Sequence, residues 1–137
     1  MGLISTIVIT NSSFLGRYSS DKVESYREFI QFLSEESALT KKTIAWFIGS
    51  KAQSIYYLKN NTWHPQNFDS SYFPLIQSNT VFKDANGRTF MWEEDAETPF
   101  LIFYPSGQSS GGSIKFNDID QQTTLLIDNF ASMTTNK

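Results

Sequence analysis

The chain has 137 residues, a length typical of one domain, and carries a net charge of −3 with 18% charged residues. No basic run or stripe occurs, which argues against a nucleic-acid-binding protein. The absence of cysteine excludes disulfides, thiol catalysis and cysteine-ligated metal sites. Twelve Phe, six Tyr and three Trp supply enough large apolar side chains for a compact core at this size.

The chain opens on a short apolar segment, residues 2–10, with the sequence Gly-Leu-Ile-Ser-Thr-Ile-Val-Ile-Thr. It is too short to span a bilayer, which needs about 20 apolar residues. It also lacks the positive flank and cleavage site of a secretory signal. Two interpretations therefore stay open: a buried strand or first helical turn, or the second half of a longer membrane helix with Met1 as an added start.

Residues 21–40 form an amphipathic segment. Its apolar side chains recur at steps of three and four, the spacing of one helical face, at Val23, Tyr26, Ile30 and Leu33, with Phe29, Phe32 and Leu39 widening and extending the stripe. Asp21 followed by Glu24 is typical of a capping box at a helix start. We predict a helix over 21–40, roughly 30 Å long, that packs this face on the rest of the chain.

Residues 42–130 predict strands joined by tight turns. Strands are predicted around residues 44–48, 53–59, 62–63, 80–82, 89–92, 99–104, 114–116 and 124–127. Asn60-Asn61 favours a tight turn, and Asn86-Gly87 between apolar alternations favours a hairpin. The most apolar strand, 99–104, is expected to be buried on both faces. The tail, residues 132–137, has little to bury and is expected to fray.

The sequence shows no pattern typical of catalysis or metal binding. His64 is the only histidine, which excludes a histidine cluster, and Trp63 and Pro65 flank it in a predicted turn. The acidic run Glu93-Glu94-Asp95 with Glu97 lacks the EF-hand spacing. We therefore predict no catalytic residue, no cofactor and no metal. The alternative, an enzyme or small-ligand domain, requires a deep pocket with convergent polar groups, for which His64 is the candidate centre.

Three segments carry a family resemblance: residues 2–9, residues 26–63, and residues 102–107 together with 111–116. In order, they resemble the second half of the N-terminal pilin helix, a stalk-then-hairpin, and a Phe-x-Pro-x-Gly segment followed by a glycine-led strand. These are the parts of minor pseudopilins and minor pilins of the GspH/FimT type. The third resemblance marks Pro105, Gly107, Gly111 and Gly112 as a family-like turn.

The resemblance implies an α+β fold in which a long N-terminal helix, a truncated pilin-like stalk, packs on an antiparallel body of two sheets. Residues 1–20 would be the remnant of the hydrophobic helix and its join, and residues 21–137 the periplasmic body. Within the remnant, the side chains expected to pack against neighbouring helices in a filament are Leu3, Ile4, Ile7 and Val8. The peptidase site and the methylated first residue of the family are absent, so we expect the chain to be a truncation.

The implied function is that of a non-enzymatic minor pseudopilin, near the tip of the type II secretion pseudopilus, that helps export folded proteins across the outer membrane. The implied partners are other minor and major pseudopilins, and the inner membrane through the missing N-terminal helix. DNA-uptake members of the class carry basic residues in the C-terminal strand, whereas residues 125–130 contain none. DNA is therefore not an expected partner, and the alternative is a minor type IV pilin in pilus assembly or DNA uptake.

Overall fold

The computed structural model describes residues 18–117 and 122–136, with the helix side chains described from Lys22 onward. This part of the chain forms one α-helix, α1 (Tyr18–Thr40), a 3-10 turn at Ser70–Tyr72 and a set of strands. The strands are β1 (Ile44–Gly49), β2 (Ala52–Lys59), β3 (Thr62–Pro65), β4 (Val81–Asp84), β5 (Thr89–Met91), β6 (Leu101–Phe103), β7 (Gly112–Asn117), β8 (Gln122–Ile127) and β9 (Met133–Asn136). The predicted α+β class, one helix followed by two antiparallel sheets, is confirmed.

Helix α1 already includes Tyr18, the first residue that the structure describes, and so extends at least three residues ahead of the predicted start. Asp21 therefore lies inside the helix, and its interpretation as the capping residue is wrong. The helix ends at Thr40 because Lys41 adopts a left-handed conformation, with φ at 59°. The Lys42 amide then donates to the Ser37 carbonyl at 3.2 Å, which is the hydrogen bond of a Schellman motif.

The predicted apolar face of α1 is the one that packs on the sheets. Tyr26, Phe29, Ile30 and Leu33 are buried, while Val23 and Phe32 are half-buried. The extension to Leu39 is wrong, since that side chain is 80% exposed. The buried face continues from Ile30 and Leu33 to the fully buried Ser37. Leu39 comes two positions later and therefore lies about 200° further around the helix.

The first sheet has the strand order β3-β2-β1-β6, and every neighbouring pair is antiparallel. Two-residue turns, Ser50-Lys51 and Asn60-Asn61, join its first three strands with positive φ at all four residues. This is the backbone of a type I′ turn, whose twist matches that of the flanking strands. Strand β6 lies at the sheet edge, and its central Ile102 is half-buried, so the expectation of burial on both faces is wrong.

The second sheet has the order β9-β8-β7-β4-β5. The predicted hairpin around Asn86-Gly87 joins β4 to β5, with φ at 85° for Gly87. The predicted fraying of the tail is wrong, because residues 133–136 pair with β8 as an edge strand. The Arg27 guanidinium of α1 donates to the Met133 carbonyl at 3.4 Å and to the Thr135 hydroxyl. Residues 133–136 are therefore held in place by backbone pairing with β8 and by the Arg27 guanidinium, although their side chains bury little surface.

One aromatic core joins the helix to both sheets. The Tyr26 ring of α1 lies 6.4 Å from Trp46 of β1, 6.3 Å from Phe82 of β4 and 4.9 Å from Phe116 of β7. All four side chains are almost completely buried. Aromatic pairs at such centroid separations stabilise a fold beyond their area burial. The two sheets and the helix therefore form a single packed unit.

Candidate interaction surfaces

The predicted filament-packing residues Leu3, Ile4, Ile7 and Val8 lie outside the described residues, as do the rest of the apolar segment and its join. Their role stays a prediction. In the described part of the chain, α1 is too polar to serve as a membrane-crossing helix, and no other helix there is long enough.

The structure separates the four residues of the family-like turn into two groups. Pro105 and Gly107 lie in an exposed turn after β6, closed by a hydrogen bond of 2.9 Å from the Gly107 amide to the Tyr104 carbonyl. Gly107 has φ at 92°, and a Cβ there would point into open space. The left-handed backbone conformation is therefore the only reason that this position favours glycine.

Gly111 and Gly112 instead lie where β7 begins, in close contact with atoms of neighbouring segments. A Cβ on Gly111, where φ is 79°, would lie 2.9 Å from the Asn129 Oδ1 atom. A Cβ on Gly112 would lie 2.7 Å from the Lys83 carbonyl oxygen. Ser109 fastens the same corner, since its amide donates to the Asn129 carbonyl at 2.7 Å and its hydroxyl to the Asp128 carbonyl at 2.8 Å. These two glycines serve close packing of the second sheet.

The residues weighed as catalytic or metal-binding candidates are not arranged for chemistry. His64 lies in β3, where its ring stacks on Tyr57 with centroids 5.5 Å apart. The acids of the 93–97 run are all exposed. In the described ranges, no three His, Asp or Glu side chains converge on a position where a metal ion would bind. The geometry of His64 is that of a packed aromatic side chain.

The described part of the chain has open depressions on its surface, and His64 lines none of the three considered below. The first, of about 320 Å³, lies on the side of the first sheet that faces away from the helix. The second, also of about 320 Å³, lies between α1 and residues 71–74. The third, of about 300 Å³, lies beside β2 and is lined in part by Gln66, whose Oε1 atom is buried without a hydrogen-bond partner.

The second depression belongs to an apolar flank of the helix. Phe32 stacks on Tyr72 with centroids 5.5 Å apart, and Tyr72 remains 59% exposed. Leu75 is 90% exposed, even though its carbonyl accepts a hydrogen bond of 3.2 Å from the buried Tyr26 hydroxyl. Burial, and then the neighbouring Glu24 carboxylate, raise the pKa of Glu28 at the rim. Exposed apolar side chains of this kind mark interaction surfaces.

Sequence reasoning also expected one face of the body to contact a neighbouring subunit, but it named interaction residues only within residues 2–10 and did not identify the half-buried aromatic side chains of the body. The sequence did contain a sign of these side chains. Phe47, Tyr56 and Trp63 occupy alternate positions of predicted strands, and the predicted core residues do not occupy those positions. Alternation alone does not say which face of a two-sheet body is covered, so the pattern was compatible with a second buried face.

No protein-family model matches the sequence, and no curated protein matches it. Solved structures that share the fold include two of the minor pseudopilin EpsH from the type II secretion system of Vibrio cholerae. One has a TM-score of 0.61 at 15% sequence identity and the other 0.59 at 16%, and each comparison covers 85% of this chain and 94% of EpsH. The chain therefore has the fold of a minor pseudopilin, as its sequence resemblance implied.

Proposed function

We propose that this chain is a minor pseudopilin, a non-enzymatic component near the tip of a type II secretion pseudopilus that helps export folded proteins across the outer membrane. The observation that carries the proposal is the arrangement of one helix and two antiparallel sheets shared with EpsH over 85% of the chain. The exposed apolar side chains and the open depressions of the body suit assembly better than catalysis.

In this proposal, residues 21–137 are the periplasmic body and residues 1–20 the remnant of a longer hydrophobic helix. That helix, cleaved and methylated at its start, anchors the protein in the inner membrane of a Gram-negative bacterium by a single pass. Leu3, Ile4, Ile7 and Val8 pack against the helices of other minor and major pseudopilins. The apolar character of the segment supports this, since a helix surrounded by lipid or by other apolar helices needs such side chains.

Deletion of the gene, followed by complementation, tests the proposal. We expect the deletion to abolish secretion of the type II substrates and the intact wild-type protein to restore it. The Ile7→Asp variant of the intact protein should fail to restore secretion, because a carboxylate in a water-poor helix packing is strongly unfavourable. The matched Ile7→Leu variant should restore it, since it keeps the apolar side chain.

Two results would contradict the proposal. Secretion that is unaffected by the deletion, with loss of pili or of DNA uptake instead, would assign the chain to the minor type IV pilins. Full complementation by Ile7→Asp, with the variant still recovered alongside its partners, would reduce the segment to a tether. Circular dichroism of the Ile7→Asp protein should show an intact sheet signal, so that a failure to restore secretion is not caused by misfolding of the body.

A further inference from the structure

We propose that the side of the first sheet that faces away from the helix docks a protein partner that presents an apolar anchor beside lysine or arginine side chains. This side, the outward face, consists of Phe47 of β1, Ser54, Tyr56 and Leu58 of β2, Trp63 of β3 and Ile102 of β6. The identity of the partner as another pseudopilin rests on the proposed function, whereas the docking surface itself does not.

Strand register places these residues on one face. Trp46 packs in the core, so its neighbours along β1, Ala45 and Phe47, point the other way. Ala45 pairs with Tyr56 of β2 and with Ile102 of β6, and Leu58 pairs with Trp63. Directly paired residues of antiparallel strands share a face. The outward face therefore extends across all four strands of the sheet.

The outward face is apolar and aromatic although it faces solvent. Among the described residues of β1, β2, β3 and β6, none of the outward positions holds a charged side chain. The Phe47 ring packs edge-on against Tyr56 at 4.9 Å and Trp63 at 6.3 Å, and Leu58 is 37% exposed. The solvated face of an antiparallel sheet is ordinarily polar. Aromatic enrichment with depletion of charge is instead the composition of a protein–protein interface core.

A depression and an acidic loop lie at one end of this face. The depression, of about 320 Å³, is lined by outward-face side chains, among them Phe47 and Tyr56, and by Ala96 of the loop. In the loop, Glu93, Glu94, Asp95 and Glu97 are all exposed. The Ser50 amide donates to the Glu94 carbonyl at 2.9 Å, and the Lys51 amide to the Trp92 carbonyl at 2.7 Å. These bonds to the β1–β2 turn hold the acids beside the depression.

This layout selects a protein with a basic edge over the other occupants. In a protein interface, buried apolar anchors at the centre supply most of the affinity, whereas complementary charges at the rim steer the approach of the partner. A second copy in a two-fold contact that brings like ends together would present the same acidic loop, and its four exposed carboxylates outnumber the neighbouring exposed Lys51. A polysaccharide would find few hydrogen-bonding groups, since the polar side-chain atoms of the outward face are the hydroxyls of Ser54 and Tyr56 and the indole N–H of Trp63.

Site-specific photo-crosslinking of the full chain, in the bacterium that encodes it, tests the proposal. A photoreactive phenylalanine analogue replaces Leu58 in one strain and Leu126 in a control strain. Leu126 lies on the second sheet and is 39% exposed, so the two leucines match in type and exposure. We expect a covalent adduct from position 58 to one protein, through a peptide that contains lysine or arginine, and no adduct to that protein from position 126.

The protein identified in this way is then purified and titrated with the wild-type full chain and with variants. Leu58→Glu should weaken binding at least about tenfold, and Leu126→Glu should leave it unchanged. Glu94→Lys should weaken binding and reduce its dependence on salt, because it removes an opposite charge from the rim. Circular dichroism that matches the wild type in each variant shows that the fold is kept.

Several results would overturn the proposal: no adduct from position 58, an adduct only to a second copy or to a glycan, or equal weakening by both glutamate substitutions. The fate of the proposed function is separate. An adduct from position 58 to a basic-edged protein that is not a pseudopilin supports the docking surface and contradicts the proposed function. A pseudopilin that binds the chain but crosslinks only through position 126 does the reverse.

Discussion

Replacement of Ile30 by Ala tests the packing of the helix on both sheets. Ile30 is completely buried, and it belongs to the same core as Tyr26, Leu33 and Trp46. The substitution removes three side-chain carbons from a site whose neighbours come from several elements. The surrounding structure therefore cannot collapse fully into the space, and a cavity remains.

The expected loss is about 2–5 kcal/mol of unfolding free energy, the range for replacing a buried Ile or Leu by Ala. Ala is the better helix former by only a few tenths of a kcal/mol, so helix propensity offsets little of this. For a domain of this size, about 4 °C of melting temperature corresponds to each kcal/mol, which gives a decrease of about 8–20 °C.

Urea unfolding followed by tryptophan fluorescence and by circular dichroism measures the change, and coincidence of the two transitions checks two-state behaviour. Leu39→Ala is the matched control, because Leu39 lies on the same helix but is 80% exposed. That variant should stay within about 0.5 kcal/mol of the wild type. An Ile30→Ala loss no larger than the Leu39→Ala loss would refute the assigned face of the helix.

Four further predictions follow from the contacts described above and from the net charge of the chain. Arg27→Ala should accelerate amide exchange in residues 133–136 roughly tenfold or more, because β9 loses its hydrogen bonds to the guanidinium. Gly112→Ala should cost about 1–3 kcal/mol in urea unfolding, since its Cβ would lie 2.7 Å from the Lys83 carbonyl oxygen. Tyr26→Phe should cost about 0.5–1.5 kcal/mol near neutral pH through the lost hydrogen bond to Leu75. Burial raises the pKa of Tyr26, so wild-type stability should fall above about pH 10, where the unfolded chain ionises first, and Tyr26→Phe should remove that part of the slope. Binding of duplex DNA should be weak or absent in a mobility shift at about 150 mM salt, given the net charge of −3.

Each of these predictions has a control or a contrary result. Exchange in β2 should not change in Arg27→Ala, and uniform acceleration would indicate global destabilisation instead. Gly107→Ala has open space at its Cβ, so it should cost only the left-handed backbone strain of about 1 kcal/mol. An alkaline slope that is unchanged in Tyr26→Phe would assign it to other tyrosines. Micromolar DNA affinity at that salt concentration would favour the DNA-uptake pilins.

The sequence by itself determined the features that depend on neighbours a few residues away. The steps of three and four at Tyr26, Ile30 and Leu33 identified the buried face of α1, because helical periodicity is local. The alternation at Ile44, Trp46 and Ile48 identified the core side of β1 for the same reason. Asn60-Asn61 predicted a tight turn, since Asn tolerates the left-handed backbone that the type I′ turn requires.

The tertiary structure decided the features that depend on distant partners. Ser37 is fully buried and Leu39 exposed, because the Ser37 hydroxyl lies within hydrogen-bonding distance of the Phe103 carbonyl, 66 positions away, and the helix turns Leu39 to the opposite side. Residues 133–136 form a strand because β8 and Arg27 supply partners that the tail itself lacks. In the same way, the outward face takes Phe47, Tyr56, Trp63 and Ile102 from four strands that only pairing brings together. Hydrogen-bond partners and burial come from the whole fold, so they decide edge strands, covered faces and exposed aromatic surfaces after local pattern has chosen helix, strand and turn.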